Sequence, residues 1–192
     1  SVMYAFTPEL HGYVSAGKGF ETPTQAELAY APGNVEGFNF GLKPSESTQY
    51  EMGLKAQLSN TRLNAAIFQI TTEDEISVLQ NDQGRAIYQN AGRTLRRGFE
   101  LGVESQLSEH WTTTFAYTRL QATYDSDFAS SKGPVDKGNY LPGVPQTTLF
   151  AEVNWKPTDW VSTAVEGMYR SKVYVEDTNS KKAAPAYSVF NW

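Results

Sequence analysis

The sequence predicts an all-β chain, an antiparallel up-and-down sheet of about nine strands of the transmembrane β-barrel kind. Three observations carry that reading. Two-residue alternation of apolar and polar side chains is common, while the helical period is nearly absent. Many alternating runs extend for about 9–13 residues, where globular strands peak near 5–6 and a tilted bilayer-crossing strand needs about 9–11. Short polar breaks, spaced roughly 50 residues apart, alternate with long polar segments. Short turns at one end and long loops at the other describe a bacterial outer-membrane barrel.

Composition sets the bounds. Of 192 residues, 40% are hydrophobic and 13% aromatic, too many to leave in water as a disordered chain. The net charge of −5 argues against a nucleic-acid partner. With no Cys, a disulfide scaffold and a zinc-thiolate site are excluded. No apolar run approaches the length of a membrane helix, and residues 1–6 carry no charged leader.

The elements follow in order. Phe6 and Tyr13 bracket the first tight turn at Thr7, Pro8 and Glu9, and residues 19–46 form the first long loop. In residues 50–58, Tyr50, Met52, Leu54 and Leu58 alternate with Glu51, Lys55 and Gln57. Ser59 and Asn60 make the second turn. Residues 63–70 are apolar on both faces and are read as a strand mainly from their neighbours, before a loop at 74–92. The clearest alternation spans residues 99–107, with Phe99, Leu101, Val103 and Leu107 on one face and Glu100 and Glu104 on the other. Ser108 and Glu109 turn the chain, residues 115–124 are again mixed, and 125–143 form a loop. Leu149, Ala151, Val153 and Trp155 oppose Glu152, Asn154 and Lys156, with a turn at Pro157, Thr158 and Asp159. Val161, Thr163, Val165 and Tyr169 oppose Ser162, Glu166 and Arg170. After a loop at 176–185, residues 186–192 start a strand that is cut short. Trp111, Trp155 and Trp160 cluster near the tight-turn level, as an interfacial aromatic girdle requires, although Trp160 falls in the polar phase. The same alternation suits a complete eight-stranded barrel or a soluble β-sandwich, and these stand as the alternatives.

Five stretches, in order, resemble TonB-dependent outer-membrane receptors of the siderophore-receptor type. Residues 13–24 (Tyr-Val-Ser-Ala-Gly-Lys-Gly-Phe-Glu-Thr-Pro-Thr) are similar to the family's strand and loop entry. Residues 41–55, with Leu42-Lys43-Pro44 and Tyr50-Glu51-Met52-Gly53-Leu54-Lys55, resemble a second motif. Asn90-Ala91-Gly92 followed by Gly98-Phe99-Glu100 resembles a third. Residues 141–145 and 187–191 look like two late strands. The resemblance implies the C-terminal part of a 22-stranded barrel, with residues 1–192 as one partial barrel domain. It also implies that the plug domain, the TonB-box, earlier strands and a final few lie outside this chain. The implied activity is TonB-dependent uptake of a ferric siderophore or similar metal chelate across the bacterial outer membrane. The TonB complex, engaged through the missing N-terminal part, is the implied partner, and the barrel is expected to need no cofactor.

The polar row, Glu51, Lys55, Glu100, Glu104, Glu152, Glu166 and Arg170, is expected to face the lumen. Candidate cargo contacts are loop aromatics: Phe20, Tyr30, Phe38, Phe40, Tyr88, Tyr124, Phe128 and Tyr140. The bland reading of each is loop packing. Arg96 is expected to point inward toward an anionic chelate, or to pair with Glu73, Asp74 or Glu75. Arg97 shares the apolar phase and is expected to reach outer-membrane lipid, at lipopolysaccharide phosphates. An enzyme is not expected: His11 and His110 sit beside tight turns, away from the long loops, and no Gly-x-Ser-x-Gly elbow occurs. Two acidic clusters, at residues 73–75 and 125–127, lack a calcium-loop spacing and read as solvated loop charge.

Overall fold

The computed structural model describes residues 1–33, 37–82, 85–181 and 183–192. Parts of three expected loops, residues 34–36, 83–84 and 182, lie outside the described residues. The strands are β1 (Val2–Ala5), β2 (Leu10–Glu21), β3 (Ser45–Leu58), β4 (Thr61–Glu73), β5 (Ile76–Asp82), β6 (Arg85–Asn90) and β7 (Thr94–Ser108). They continue with β8 (Trp111–Tyr124), β9 (Phe128–Ser130), β10 (Gly133–Val135), β11 (Thr147–Thr158), β12 (Val161–Arg170) and β13 (Tyr187–Asn191). A single helical turn, α1 (Gln25–Leu28), sits in the first long loop. Its capping box explains it: the Glu27 N–H donates to Thr24 Oγ1, and the Thr24 N–H donates to Glu27 Oε2.

Nine strands form one antiparallel sheet in the order β1-β2-β3-β4-β7-β8-β11-β12-β13, so neighbours in the sheet follow one another along the chain. This is the expected up-and-down wall. The long loops hold more structure than expected, because two of them fold into separate hairpins, β5–β6 and β9–β10. Trp160 lies in the β11–β12 turn itself rather than in the strand that follows, and stands 85% exposed.

Cross-strand register divides the sheet into two faces. Rungs such as Val14↔Met52↔Ile67↔Phe99 and Thr113↔Val153↔Val165 place the apolar row on one face. Rungs such as Ser15↔Glu51↔Phe68↔Gly98 place the polar row on the other. No second layer of the described chain covers the apolar row: Met52 is 51% exposed and Val165 54%. A soluble sandwich would bury these side chains; a barrel wall turns them to hydrocarbon.

Rings lie over glycines where neighbouring strands pair. The Tyr13 ring covers its rung partner Gly53, Phe68 covers Gly98, and Phe190 covers Gly167. Each glycine leaves the space of a missing side chain, and the facing ring fills it.

The buried core sits at the loop end. Ala122 and Tyr124, on the polar face of β8, form its floor, and Ala91, Val135 and Leu141 close over them. Loop segments thereby fold inward over the polar face.

Candidate functional site

A cavity of about 750 Å³ opens at the loop end, within the usual range for small-molecule sites. Its walls are β5 of the first loop hairpin, the Ser130–Lys132 tip of the second, and residues 141–144 and 175–177. Arg96 and Tyr124 line it from the sheet.

Ion pairs fix these walls. Arg96 donates from Nη2 to Glu75 Oε1 at 2.7 Å and from Nη1 to Glu75 Oε2 at 3.1 Å, a fork that ties β7 to the first loop hairpin. Thr94 Oγ1 completes it, donating to Glu75 Oε2 at 2.8 Å and accepting from Arg96 Nη1 at 2.9 Å. Glu176 is almost wholly buried and takes Lys132 at 3.4 Å and Lys181 at 3.5 Å, so the last loop is bound to the second hairpin. The Ser180 hydroxyl, donating to Glu176 at 2.8 Å, heads the influences that hold this carboxyl below its ordinary pKa, and the two lysines add to it. Asp125 is also held low, first by its bond from Lys137 and further by Arg93. Tyr124 donates from its hydroxyl to Asp177 at 2.7 Å, locking the cavity floor to the last loop.

One polar atom in this wall stands out. Ser77 lines the cavity, and its buried hydroxyl has no hydrogen-bond partner among the described residues. A buried hydroxyl left unpaired is costly.

The sequence-derived candidates fall into three groups. Arg96 and Tyr124 line the cavity. Phe20, Tyr30, Phe38 and Phe40 are exposed near or within the first loop; the Phe38 and Phe40 rings lie 5.6 Å apart, and Arg85 sits over the Tyr30 ring at 5.5 Å. Tyr88, Tyr140 and Phe128 are half-buried in loop packing. The Tyr88 carbonyl accepts from Asn39, Tyr140 stacks on Tyr174 at 5.5 Å, and Phe128 packs edge-on against Tyr124 at 4.8 Å. Sequence reasoning missed Ser77, Lys132 and Glu176. Ser and Lys in polar loops give no signal until a hairpin brings them to a wall.

The acidic clusters are committed within the loops. Besides the Glu75 fork, Glu73 lies 3.9 Å from Arg93, and Asp125 takes Arg93 at 2.6 Å and Lys137 at 2.8 Å. His110 shares a hydrogen bond of 2.9 Å with the Lys156 carbonyl beside the β11–β12 turn.

Known proteins agree with this architecture. The probable TonB-dependent siderophore receptor PiuA of Acinetobacter baumannii is 27% identical over 148 residues, covering 73% of this chain and 19% of that protein. The probable TonB-dependent receptor BfrD of Bordetella pertussis is 29% identical over 173 residues, covering 88% of this chain and 22% of that protein. The crystal structure of PiuA superposes with a TM-score of 0.73 at 23% identity, over 98% of this chain and 27% of that one. The chain thus spans about a fifth of the length of these relatives. The family profile described as "TonB dependent receptor-like, beta-barrel" matches residues 1–192, and the chain belongs to that family of outer-membrane receptors and transporters.

Proposed function

We propose that this sheet is part of the wall of a TonB-dependent receptor that takes up a ferric siderophore or a similar metal chelate. In the intact protein the remaining strands close the barrel, a plug fills it, and the TonB complex engages the N-terminal part. The size of the relatives and the siderophore named for PiuA support this reading. The observation that carries it is the loop-end cavity, walled by three loops and lined by Ser77, Arg96 and Lys132. There Arg96 and Lys132 supply positive charge, and a chelate's anionic oxygens would take it. Phe20, Tyr30, Phe38 and Phe40 would offer exposed flat faces to a chelate from the first loop and its entry, and Tyr88 and Tyr140 half-buried ones from the loops beyond. The protein acts as a receptor and not as an enzyme.

The test is fluorescence titration of the intact receptor with ferric catecholate and ferric hydroxamate chelates. Ser77→Val and Lys132→Gln are each expected to weaken binding of one chelate class by about tenfold, the loss of one hydrogen bond to a charged group. Unchanged affinity for every chelate in both variants would remove the cavity from the uptake path.

A further inference from the structure

The apolar face carries two arginines. Arg97 and Arg119 belong to that face by register, on the rungs Gln69↔Arg97↔Gln121 and Ile67↔Phe99↔Arg119↔Thr147. They are diagonal neighbours on adjacent strands, within mutual reach of long side chains. Both are exposed, and among the described residues neither lies in an ion pair. Glu73, also on this face, stands four positions further toward the loops and lies beside Arg93.

Neutral groups orient the two guanidinium groups without neutralising them. Arg97 Nε donates to Gln121 Oε1 at 3.1 Å. Arg119 Nη1 donates to Thr147 Oγ1 at 2.8 Å, and Nη2 to Gln146 Oε1 at 3.3 Å. A guanidinium has five N–H donors, so most of those on Arg97 still need acceptors where water is scarce.

Their height along the sheet identifies the environment. Arg119 lies eight positions along β8 from Trp111, which stacks on Trp155 at the tight-turn girdle. Eight residues at about 3.3 Å each, tilted by roughly 40°, put Arg119 about 20 Å above that girdle. The apolar band of such a wall is about 25 Å tall, so the pair sits where the far leaflet gives way to its headgroups. Phe99, two positions below Arg97 and level with Arg119, and Tyr117, two positions below Arg119, have rings 6.3 Å apart and suit acyl chains.

We propose that Arg97 and Arg119 form a binding site for a phosphate of lipopolysaccharide in the outer leaflet, with its acyl chains descending over Phe99 and Tyr117. The inference rests on the membrane setting of this face and not on the cargo. Planar forks favour phosphate over other acceptors available at that depth, because two N–H groups meet two phosphate oxygens.

The experiment uses the intact receptor purified in mild detergent. Lipopolysaccharide, the same lipid with its phosphates removed, and inorganic phosphate are each added while thermal unfolding is followed. Phosphorylated lipid is expected to raise the unfolding temperature of the wild type and the other two to leave it unchanged. In R97Q/R119Q the shift is expected to vanish, and the lipid copurified per receptor to fall by about tenfold. Equal binding of phosphorylated and dephosphorylated lipid would overturn the proposal. So would equal copurification with wild type and variant, or a full shift from inorganic phosphate alone, which would mark a free-anion site. If R97Q/R119Q fails to insert, the comparison of the two lipids on the wild type decides alone.

Discussion

Arg96 and Glu75 hold each other through two charge-assisted hydrogen bonds while remaining only 26% and 22% exposed. Within such a pair the cation is braced at the cavity wall, and its charge is offset in part by its neighbour. Arg96→Ala would strand the Glu75 carboxylate, destabilising the hairpin by about 1–3 kcal/mol and speeding proteolysis within residues 74–93. Glu75→Gln would instead free the guanidinium, and is expected to tighten binding of an anionic ferric chelate while Arg96→Ala weakens it. Equal weakening by both variants, read by titration, would assign the pair to loop packing alone. Asp125 offers a second test. Its carboxyl is held below the ordinary range by Lys137 first and Arg93 next, so its stabilising contribution is complete above the unfolded pKa. That contribution is lost as pH falls from about 5 through the lowered folded value. Hydrogen exchange in residues 125–146 is expected to quicken over that window, and Lys137→Gln is expected to flatten the response.

At the scale of strands, packing between neighbours governs which glycines accept change. A Cβ on Gly98 would meet Phe68 Cζ at 2.7 Å and the Arg119 carbonyl at 2.6 Å, whereas nothing lies within 4 Å at Gly102, four positions along on the same face. Gly98→Val is therefore expected to cost about 1–3 kcal/mol by overpacking and Gly102→Val far less, as measured by urea unfolding of the intact barrel. The same contact explains where the sequence was hard to read. Alternation stood out in β3, β7 and β11 because their polar faces carry Glu51, Lys55, Glu100, Glu104, Glu152 and Asn154. It faded in β4 because Phe68 sits on the polar face to cover Gly98. It faded in β8 because Leu120, Ala122 and Tyr124 provide the floor on which loops pack. The hairpins β5–β6 and β9–β10 escaped notice because their short strands lie on loop contacts with no extended apolar face. The cavity they wall is invisible in the sequence for the same reason, although the phase of β7 turns Arg96 inward.

For the whole molecule the two ends of the sheet decide behaviour. β1 and β13 stand at its edges, each with a ladder of backbone groups facing outward. In hydrocarbon every such group needs a partner, which the remaining strands of the proposed barrel would supply. Expressed alone, residues 1–192 are expected to precipitate without detergent and to lack a cooperative unfolding transition; the larger receptor is expected to show one. A detergent-free, cooperatively melting monomer, seen by sedimentation and circular dichroism, would contradict the membrane setting. Trp111 and Trp155 bring one last consequence. Their indoles face each other on β8 and β11 at 5.8 Å and 22° from parallel, joined through a loop that must fold before they meet. Two chromophores that close share their excited states, so the receptor carries an internal optical gauge whose exciton couplet reports when these two staves of the wall have come together.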